Sequence, residues 1–263
     1  MKNSALKRLT RLVGKAIGDF GLIEHRDRIL VALSGGKDSW SLLYALRDLQ
    51  RKAPIKFELA AVIVHPGQVE FDCRSLSERL AHDDISHWIV QGNIIELINE
   101  KLTEGTNPCS FCSRLRRGIL YRFASENGWN KIALGHHMDD FVETMLLNLF
   151  FNGSIKGMSP YLMADDGKNR VIRPMVYARE DLTRECAELL GVPILGCFCD
   201  CKGMKSARRQ WMKALLNKIE NDVPDVRSNI LASMGRVRHR HLFTAWTKDF
   251  RNGTLLTGEE SVD

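Results

Sequence analysis

The sequence predicts an α/β fold, a doubly wound parallel sheet with a helical N-terminal segment before it and a helical C-terminal extension after it. Short apolar runs with the length of buried strands occur at residues 28–33, 58–64 and 131–134, and residues 85–90 are also strand-like. Segments with the apolar spacing of helices separate these runs. Continuous apolar strands that alternate with helices are typical of a parallel sheet covered on both faces. Ligands of such a sheet lie at the carboxyl ends of its strands.

The helical elements follow from apolar periodicity. Leu6, Leu9, Val13 and Ile17 share one face of an amphipathic N-terminal helix. Helices are also predicted after residue 37, over 71–82 and 93–103, after the Cys109 turn and from Asp139 onward. These patterns divide the chain into an N-terminal helix at 1–24, a sheet domain at 25–180, a basic helical extension at 181–251 and a flexible tail at 252–263.

The composition is that of a soluble globular protein, with 44% hydrophobic and 27% charged residues. Apolar runs stay well below the roughly 18 residues that a membrane span needs. Basic residues interrupt the N-terminus where a signal peptide has its apolar core, so we expect a cytoplasmic protein. The net charge of +6 fits a phosphate-rich partner and equally an ordinary basic surface.

A glycine-rich hexapeptide, SGGKDS at residues 34–39, lies between the first strand and the next helix. Glycines let the backbone approach an anion closely, and the N–H groups at a helix start point at it. Lys37 adds a charge, and Ser34 and Ser39 add hydroxyl donors. The spacing differs from that of a Walker A loop and resembles that of the PP-loop ATPases, which cradle the pyrophosphate of ATP. The alternative is a strand-to-helix turn that binds nothing.

A second polar turn follows the strand at 131–134. Gly135 ends this strand, and His136 and His137 precede a helix that opens with Asp139 and Asp140. Aspartates in a first turn suit N-capping and the helix dipole. A structural capping role for one of these aspartates is therefore one interpretation of this turn.

Five of the seven cysteines fall in two tight groups, which indicates metal or redox chemistry rather than disulfides. Cys109 and Cys112 lie one helical turn apart and suit zinc, an iron–sulfur cluster or a redox pair. The second group is Cys197, Cys199 and Cys201. Cys73 and Cys186 lie in helical patterns and are interpreted as ordinary core or surface residues.

Four motifs occur in order along the chain: the loop at 34–39, PCSFCSRLRRG at 108–118, LGHHMDD at 134–140 and IRP at 172–174. Together they resemble the tRNA 2-thiocytidine biosynthesis family, over about residues 5–240. The resemblance implies that ATP and Mg²⁺ bind at the carboxyl edge of the sheet. The nucleotide-binding residues that it implies are Ser34, Gly35, Gly36, Lys37, Asp38, Ser39, Gly135 and His136. The catalytic residues are Lys37, Asp38 and Asp139.

The resemblance also implies a [4Fe–4S] cluster held by Cys109, Cys112 and Cys201. The family's later pair of cysteines has C-x-x-C spacing, whereas this chain has Phe198 at the other position of that pair. Cys201 is the expected third ligand, and Cys199 is the fallback. Three protein ligands leave one iron open for the sulfide to be transferred.

The predicted activity is therefore that of an ATP-dependent tRNA sulfurtransferase, which adenylates the C2 oxygen of a cytidine and replaces it with sulfur. The expected partners are the anticodon loop of tRNA and a sulfur donor such as a cysteine desulfurase or sulfide. Because members of the family are commonly dimers, a homodimer is also expected. The alternatives are an amine or amide ligase similar to lysidine synthetase, and a non-catalytic RNA-binding protein with structural zinc. Neither alternative uses both the loop and the cysteines.

Overall fold

The computed structural model describes residues 4–68, 71–101, 108–164, 166–195, 204–238 and 241–242. The strands are β1 (Arg28–Ala32), β2 (Glu58–His65), β3 (His87–Gln91), β4 (Lys131–Ala133), β5 (Tyr161–Met163) and β6 (Arg170–Ile172). The helices are α1 (Ser4–Phe20), α2 (Lys37–Lys52), α3 (Cys73–His82), α4 (Ile94–Lys101), α5 (Pro108–Glu126), α6 (Met138–Asn152), α7 (Glu180–Leu190), α8 (Met204–Asp222) and α9 (Val226–Met234).

The sheet has the strand order β3-β2-β1-β4-β6-β5 and is parallel except for the edge strand β5. This confirms the predicted parallel α/β sheet. The chain moves outward from β1 to β2 and β3, then returns to place β4 on the other side of β1. The topological switch point lies between the neighbouring strands β1 and β4, where the direction of the strand order reverses. Open α/β sheets bind ligands at such a point, beyond the carboxyl ends of the strands.

Side chains of β1 alternate between two apolar layers, which shows that both faces of the sheet are covered. Ile29 and Val31 pack in the layer that contains α1, α2 and α7, whereas Leu30 packs with Leu120 and Trp129 on the α5 side. Full burial on both faces explains why β1 reads as a continuous apolar run instead of an alternating one.

The short hairpin β5–β6 is an element that the sequence reading did not contain. Each strand has three residues, too few to show a period, and Leu162 and Met163 are exposed on the antiparallel edge. α7 packs against α1 and α2, with Leu182 and Cys186 in the main core. α8 packs on α6 through a separate apolar cluster that includes Met212 and Val142.

The interpretation of the two isolated cysteines agrees with the structure. Cys186 is fully buried in the core, and Cys73 is half-buried at the start of α3. Across the described ranges, no helix is long and apolar enough to cross a bilayer.

Candidate functional site at the carboxyl edge of the sheet

Residues 34–39 connect β1 to α2 and fold back on the first turn of the helix. The Gly36 N–H donates to Ser34 Oγ (3.3 Å), and Ser39 Oγ donates to the Gly36 carbonyl (2.9 Å). The Ser34 N–H donates in turn to Ser39 Oγ (3.2 Å). These bonds hold the loop as a compact turn in front of the positive end of α2, which is the arrangement that binds phosphate groups.

Two glycines in this region are required by the geometry. Gly35 has φ of +81°, and its carbonyl accepts a hydrogen bond from the Leu195 N–H (2.9 Å). A Cβ at Gly135 would lie 2.9 Å from the Ser39 nitrogen and 3.0 Å from the Asp38 carbonyl carbon. The end of β4 therefore packs directly on the backbone of the loop, which leaves no room for a side chain at Gly135.

A charged cluster surrounds the side chains of the loop. Lys37 Nζ lies 2.8 Å from Asp38 Oδ2 and 3.2 Å from Glu180 Oε1, and Lys213 pairs with the other oxygen of Glu180. Thr183 Oγ1 donates to Asp38 Oδ1 (2.5 Å). Burial lowers the pKa of Lys37, but the bond and charge of Asp38, with Glu180, raise it above its usual value. Lys37 is therefore a fixed cation beside the loop.

Sequence reasoning missed Glu180. Burial raises the pKa of Glu180, but the hydrogen bond from Lys213 and the charge of Lys37 outweigh it and lower this pKa to about 2. Glu180 opens α7, and the signal that could have found it is an acidic residue shortly after the IRP motif at 172–174. It aligns two lysines at the site.

The two aspartates of the α6 start have different roles in the structure. Asp140 Oδ2 accepts the His137 N–H (3.0 Å), so Asp140 caps the helix. Asp139 is buried, and its oxygens meet the Glu180 N–H (2.8 Å) and Arg227 Nε (3.0 Å). Asp139 therefore connects α6 to the start of α7 and to α9, and it sets the position of Glu180.

The two histidines face different neighbours. His137 Nε2 lies 3.8 Å from Asp38 Oδ1, while His137 Nδ1 lies 3.6 Å from Asp139 Oδ2. His136 is next to Arg173 instead, whose Nε donates to His136 Nδ1 (3.3 Å). Of the two, His137 is thus the histidine that the structure places beside Asp38, a position that the sequence reading did not assign to it.

The protonation state of His136 follows from its surroundings. The pKa of His136 is lowered to about 4, mainly by burial. The Asp140 carboxylate raises this pKa, whereas the positive charges of Arg173 and Arg209 lower it further. Because Nδ1 accepts the bond from Arg173, the neutral ring carries its proton on Nε2. At neutral pH, His136 is therefore a hydrogen-bond donor through Nε2.

The cysteines predicted to bind the cluster lie only partly within the described residues. Cys112 is 7% exposed in the first turns of α5. The backbone of Cys109 lies in the same helix, one turn earlier. The side chain of Cys109 and the residues Cys197, Cys199 and Cys201 lie outside the part of the chain that the structure describes. Among the residues that are described, no three His, Cys, Asp or Glu side chains are grouped to hold a metal ion.

A cleft of about 1030 Å³ lies between α6, residues 155–160 and α9. Its lining is mainly apolar and includes Met145, Met158, Leu231 and Met234. None of the predicted site residues that the structure describes lines this cleft, so residues 34–39 and the cleft are separate features.

The fold and the loop define a nucleotide-binding protein of the PP-loop class, and the family model of the PP-loop domain matches residues 1–189. A tRNA-cytidine(32) 2-sulfurtransferase of Syntrophotalea carbinolica is 46% identical, over 95% of this chain and 96% of the relative. The enzyme of that name in Pectobacterium atrosepticum is 44% identical, over 99% of this chain and 83% of the relative. The chain therefore belongs to the tRNA-cytidine(32) 2-sulfurtransferase family, which confirms the resemblance found in the sequence.

A solved structure shares the fold. The U34-tRNA thiolase NcsA from Methanococcus maripaludis, described with its [4Fe–4S] cluster, superposes with a TM-score of 0.73. The superposition covers 92% of this chain and 80% of NcsA, at 24% identity. At this identity, the comparison supports the architecture alone.

Proposed function

We propose that this protein is an ATP-dependent tRNA sulfurtransferase, which adenylates the C2 oxygen of a tRNA cytidine and replaces that oxygen with sulfur. The observation that carries the proposal is the SGGKDS loop at the switch point between β1 and β4, with Gly135 packed against its backbone. Membership of the sulfurtransferase family supports the reaction type and favours thiolation over the amine ligase and the zinc protein.

The residues at the loop fit the triphosphate of ATP. The helix start and the loop N–H groups favour phosphate oxygens, and Lys37 adds a fixed positive charge. Mg²⁺ is commonly held by one or two carboxylates together with substrate phosphates, and Asp38 is the carboxylate in the loop. We therefore assign Mg²⁺ to Asp38 and the phosphates to residues 34–39.

The first chemical step is attack of the cytidine C2 oxygen on the α-phosphate, which releases pyrophosphate. The adenylated oxygen is then a good leaving group. Lys37 and the start of α2 stabilise the negative charge that develops on the pyrophosphate. We assign His136 to nucleotide contact, through its Nε2 proton. Asp139 acts in this scheme by holding the backbone of Glu180, and through Glu180 the ammonium of Lys37.

We assign a [4Fe–4S] cluster to Cys109, Cys112 and Cys201, with Cys199 as the alternative third ligand. Thiolates spaced as Cys109 and Cys112 suit such a cluster, and the burial of Cys112 suits a cluster ligand. The cluster would supply an iron that carries the sulfide to be transferred.

The finer points of the proposal concern the partners and the organisation of the chain. The tRNA is recognised at its anticodon loop, and the sulfur comes from a cysteine desulfurase or from sulfide. We further propose a cytoplasmic homodimer with a nucleotide-binding domain at residues 25–180 and a basic extension at 181–251 that carries the third cysteine.

Two measurements on the anaerobically purified protein test this function. With ATP labelled at the α-phosphate and with tRNA and sulfide, the labelled product is expected to be AMP, and formation of ADP would contradict adenylation. Iron and sulfide near four per chain are expected for the parent protein, with loss in Cys201→Ala and retention in Cys73→Ala, a matched control outside the cluster. Zinc in place of iron would refute the cluster.

A further inference from the structure

Three aromatic rings are exposed together where the end of α6 meets α8. Phe150, Phe151 and Trp211 are 52%, 42% and 50% exposed. The ring of Trp211 lies 6.4 Å from that of Phe150 and 5.9 Å from that of Phe151. Arg208 Cζ lies 4.6 Å above the Phe151 ring. We call these four residues the aromatic patch.

The surroundings of the aromatic patch extend its apolar area. Leu149, which precedes Phe150, and Ile155, three residues after the end of α6, are also exposed. A contiguous exposed apolar patch of this kind marks an interaction site in soluble proteins, because burying it against a partner is favourable. The buried part of the contact between α6 and α8 is made by Met138, Val142, Met212 and Leu216, so the aromatic patch lies outside this buried cluster.

The charge around the aromatic patch selects the kind of partner. Among the described side chains of α8, residues 207–219 include four basic residues, Arg208, Arg209, Lys213 and Lys218, and no acidic residue. From residue 144 to its end, α6 has no acidic residue either, and Lys156 follows it on the surface. Aromatic rings beside arginine and lysine are the combination that binds single-stranded nucleic acid, where bases stack and phosphates pair with cations.

α8 also links the aromatic patch to the candidate site. Its Arg209 Nη1 lies 3.6 Å from Asp140 Oδ1 at the start of α6, and its Lys213 pairs with Glu180. The helix that carries Arg208 and Trp211 therefore also supplies a lysine to the charged cluster around residues 34–39.

We propose that the aromatic patch binds unpaired bases of the tRNA substrate by stacking on Trp211 and Phe151. This inference rests on the proposed function and adds the surface on which the RNA lies. Bases splayed from a loop present their faces to aromatic side chains, and the neighbouring cations contact the phosphates between them. The patch serves binding and does not take part in the chemistry.

The test measures the dissociation constant for unmodified tRNA without ATP, by fluorescence anisotropy, for the parent, Trp211→Ala, Trp211→Phe and Trp211→Leu. Loss of one stacked base weakens binding ~5- to ~150-fold. We expect this loss for Trp211→Ala and Trp211→Leu, with recovery in Trp211→Phe. The control is Trp88→Ala on β3, a tryptophan that is 38% exposed and packs edge-to-face against Trp129, for which unchanged affinity is expected.

Four results would contradict RNA binding by the aromatic patch. They are tRNA binding by Trp211→Ala equal to that of the parent, recovery of binding by leucine as good as by phenylalanine, a change of Trp211→Ala from dimer to monomer, and a parent protein that binds no tRNA. Circular dichroism shows whether each variant is folded, and Arg208→Gln provides a second variant, expected to weaken binding and its salt dependence. If the parent binds tRNA through Trp211 but makes no thiolated cytidine, the proposed function fails while the patch stands. If thiolation at tRNA concentrations below the dissociation constant proceeds equally well in Trp211→Ala, only the patch fails.

Discussion

Replacing Gly135 by alanine tests whether the contact between β4 and the phosphate loop controls nucleotide binding. The new Cβ would lie 2.9 Å from the Ser39 nitrogen and 3.1 Å from the Ser39 Cα. Both atoms belong to backbone, so no flexible side chain can yield. The loop must move away from the strand end, and with it the N–H groups that we assign to the phosphates of ATP.

The magnitude follows from this overlap. Overpacking of a tight site costs about 1–3 kcal/mol, which lowers the melting temperature of a chain of this size by about 2–12 °C. A displacement of about 1 Å at a reactive site lowers the rate about 100-fold. We therefore expect the loss in AMP formation to exceed by far what the modest loss of folded protein accounts for.

The assay is ATP binding by calorimetry and AMP formation under single-turnover conditions, with melting curves for each variant. The matched control is Gly18→Ala in α1, where an added Cβ would have nothing within 4 Å. This control is expected to keep full activity and to gain about 0.5–1 kcal/mol of stability, because alanine is the better helix former. A Gly135→Ala protein that binds ATP and forms AMP like the parent would show that the contact between β4 and the loop does not control nucleotide binding.

Three further substitutions test the charged groups. Since the Glu180 pKa is lowered to about 2, its ion pairs stabilise the fold above about pH 4.5 and are lost as the pH falls toward about 2. Unfolding curves of Glu180→Gln should lack this acid-dependent loss. AMP formation should also be slower in this variant, because Lys37 has lost one ion-pair partner. Curves and rates identical to those of the parent would contradict the assignment. Arg173→Gln should raise the KM for ATP ~2- to 10-fold, because the His136 tautomer that we assign to the nucleotide contact is no longer fixed. Nitrogen NMR of the His136 ring tests this directly, and an unchanged Nε2-protonated ring would count against it. Lys131 is buried and lies 2.7 Å from Asp27 Oδ2, so Lys131→Met should cost about 3–5 kcal/mol in urea unfolding, and a cost below about 1 kcal/mol would show that the pair is not needed.

The sheet and the loop could be predicted because their signals are local. The runs at 28–33, 58–64 and 131–134 are apolar after their first, charged residue, because the strands are covered on both faces of the sheet. The loop at 34–39 combines two glycines, a lysine and two serines between a strand and a helix. Each pattern lies within a few neighbouring residues and depends on no distant partner.

The remaining features depend on contacts between residues far apart in the chain. Glu180 meets Lys37 only because α7 packs against α2, and Arg227 on α9 determines which aspartate of the α6 start is held between helices. No spacing in the sequence reveals such pairs. The hairpin β5–β6 was missed for a different reason, since its three-residue strands are too short to show a period.

The most direct test of the proposed function is mass spectrometry of the nucleosides of tRNA incubated with the anaerobically purified protein, ATP and sulfide. The proposed function predicts that 2-thiocytidine forms at the same rate as AMP. Both products should be lost in Lys37→Ala, while Trp88→Ala should behave like the parent. Unmodified cytidine in the presence of ATP and bound iron, or a nucleoside that has gained nitrogen in place of sulfur, would contradict the account.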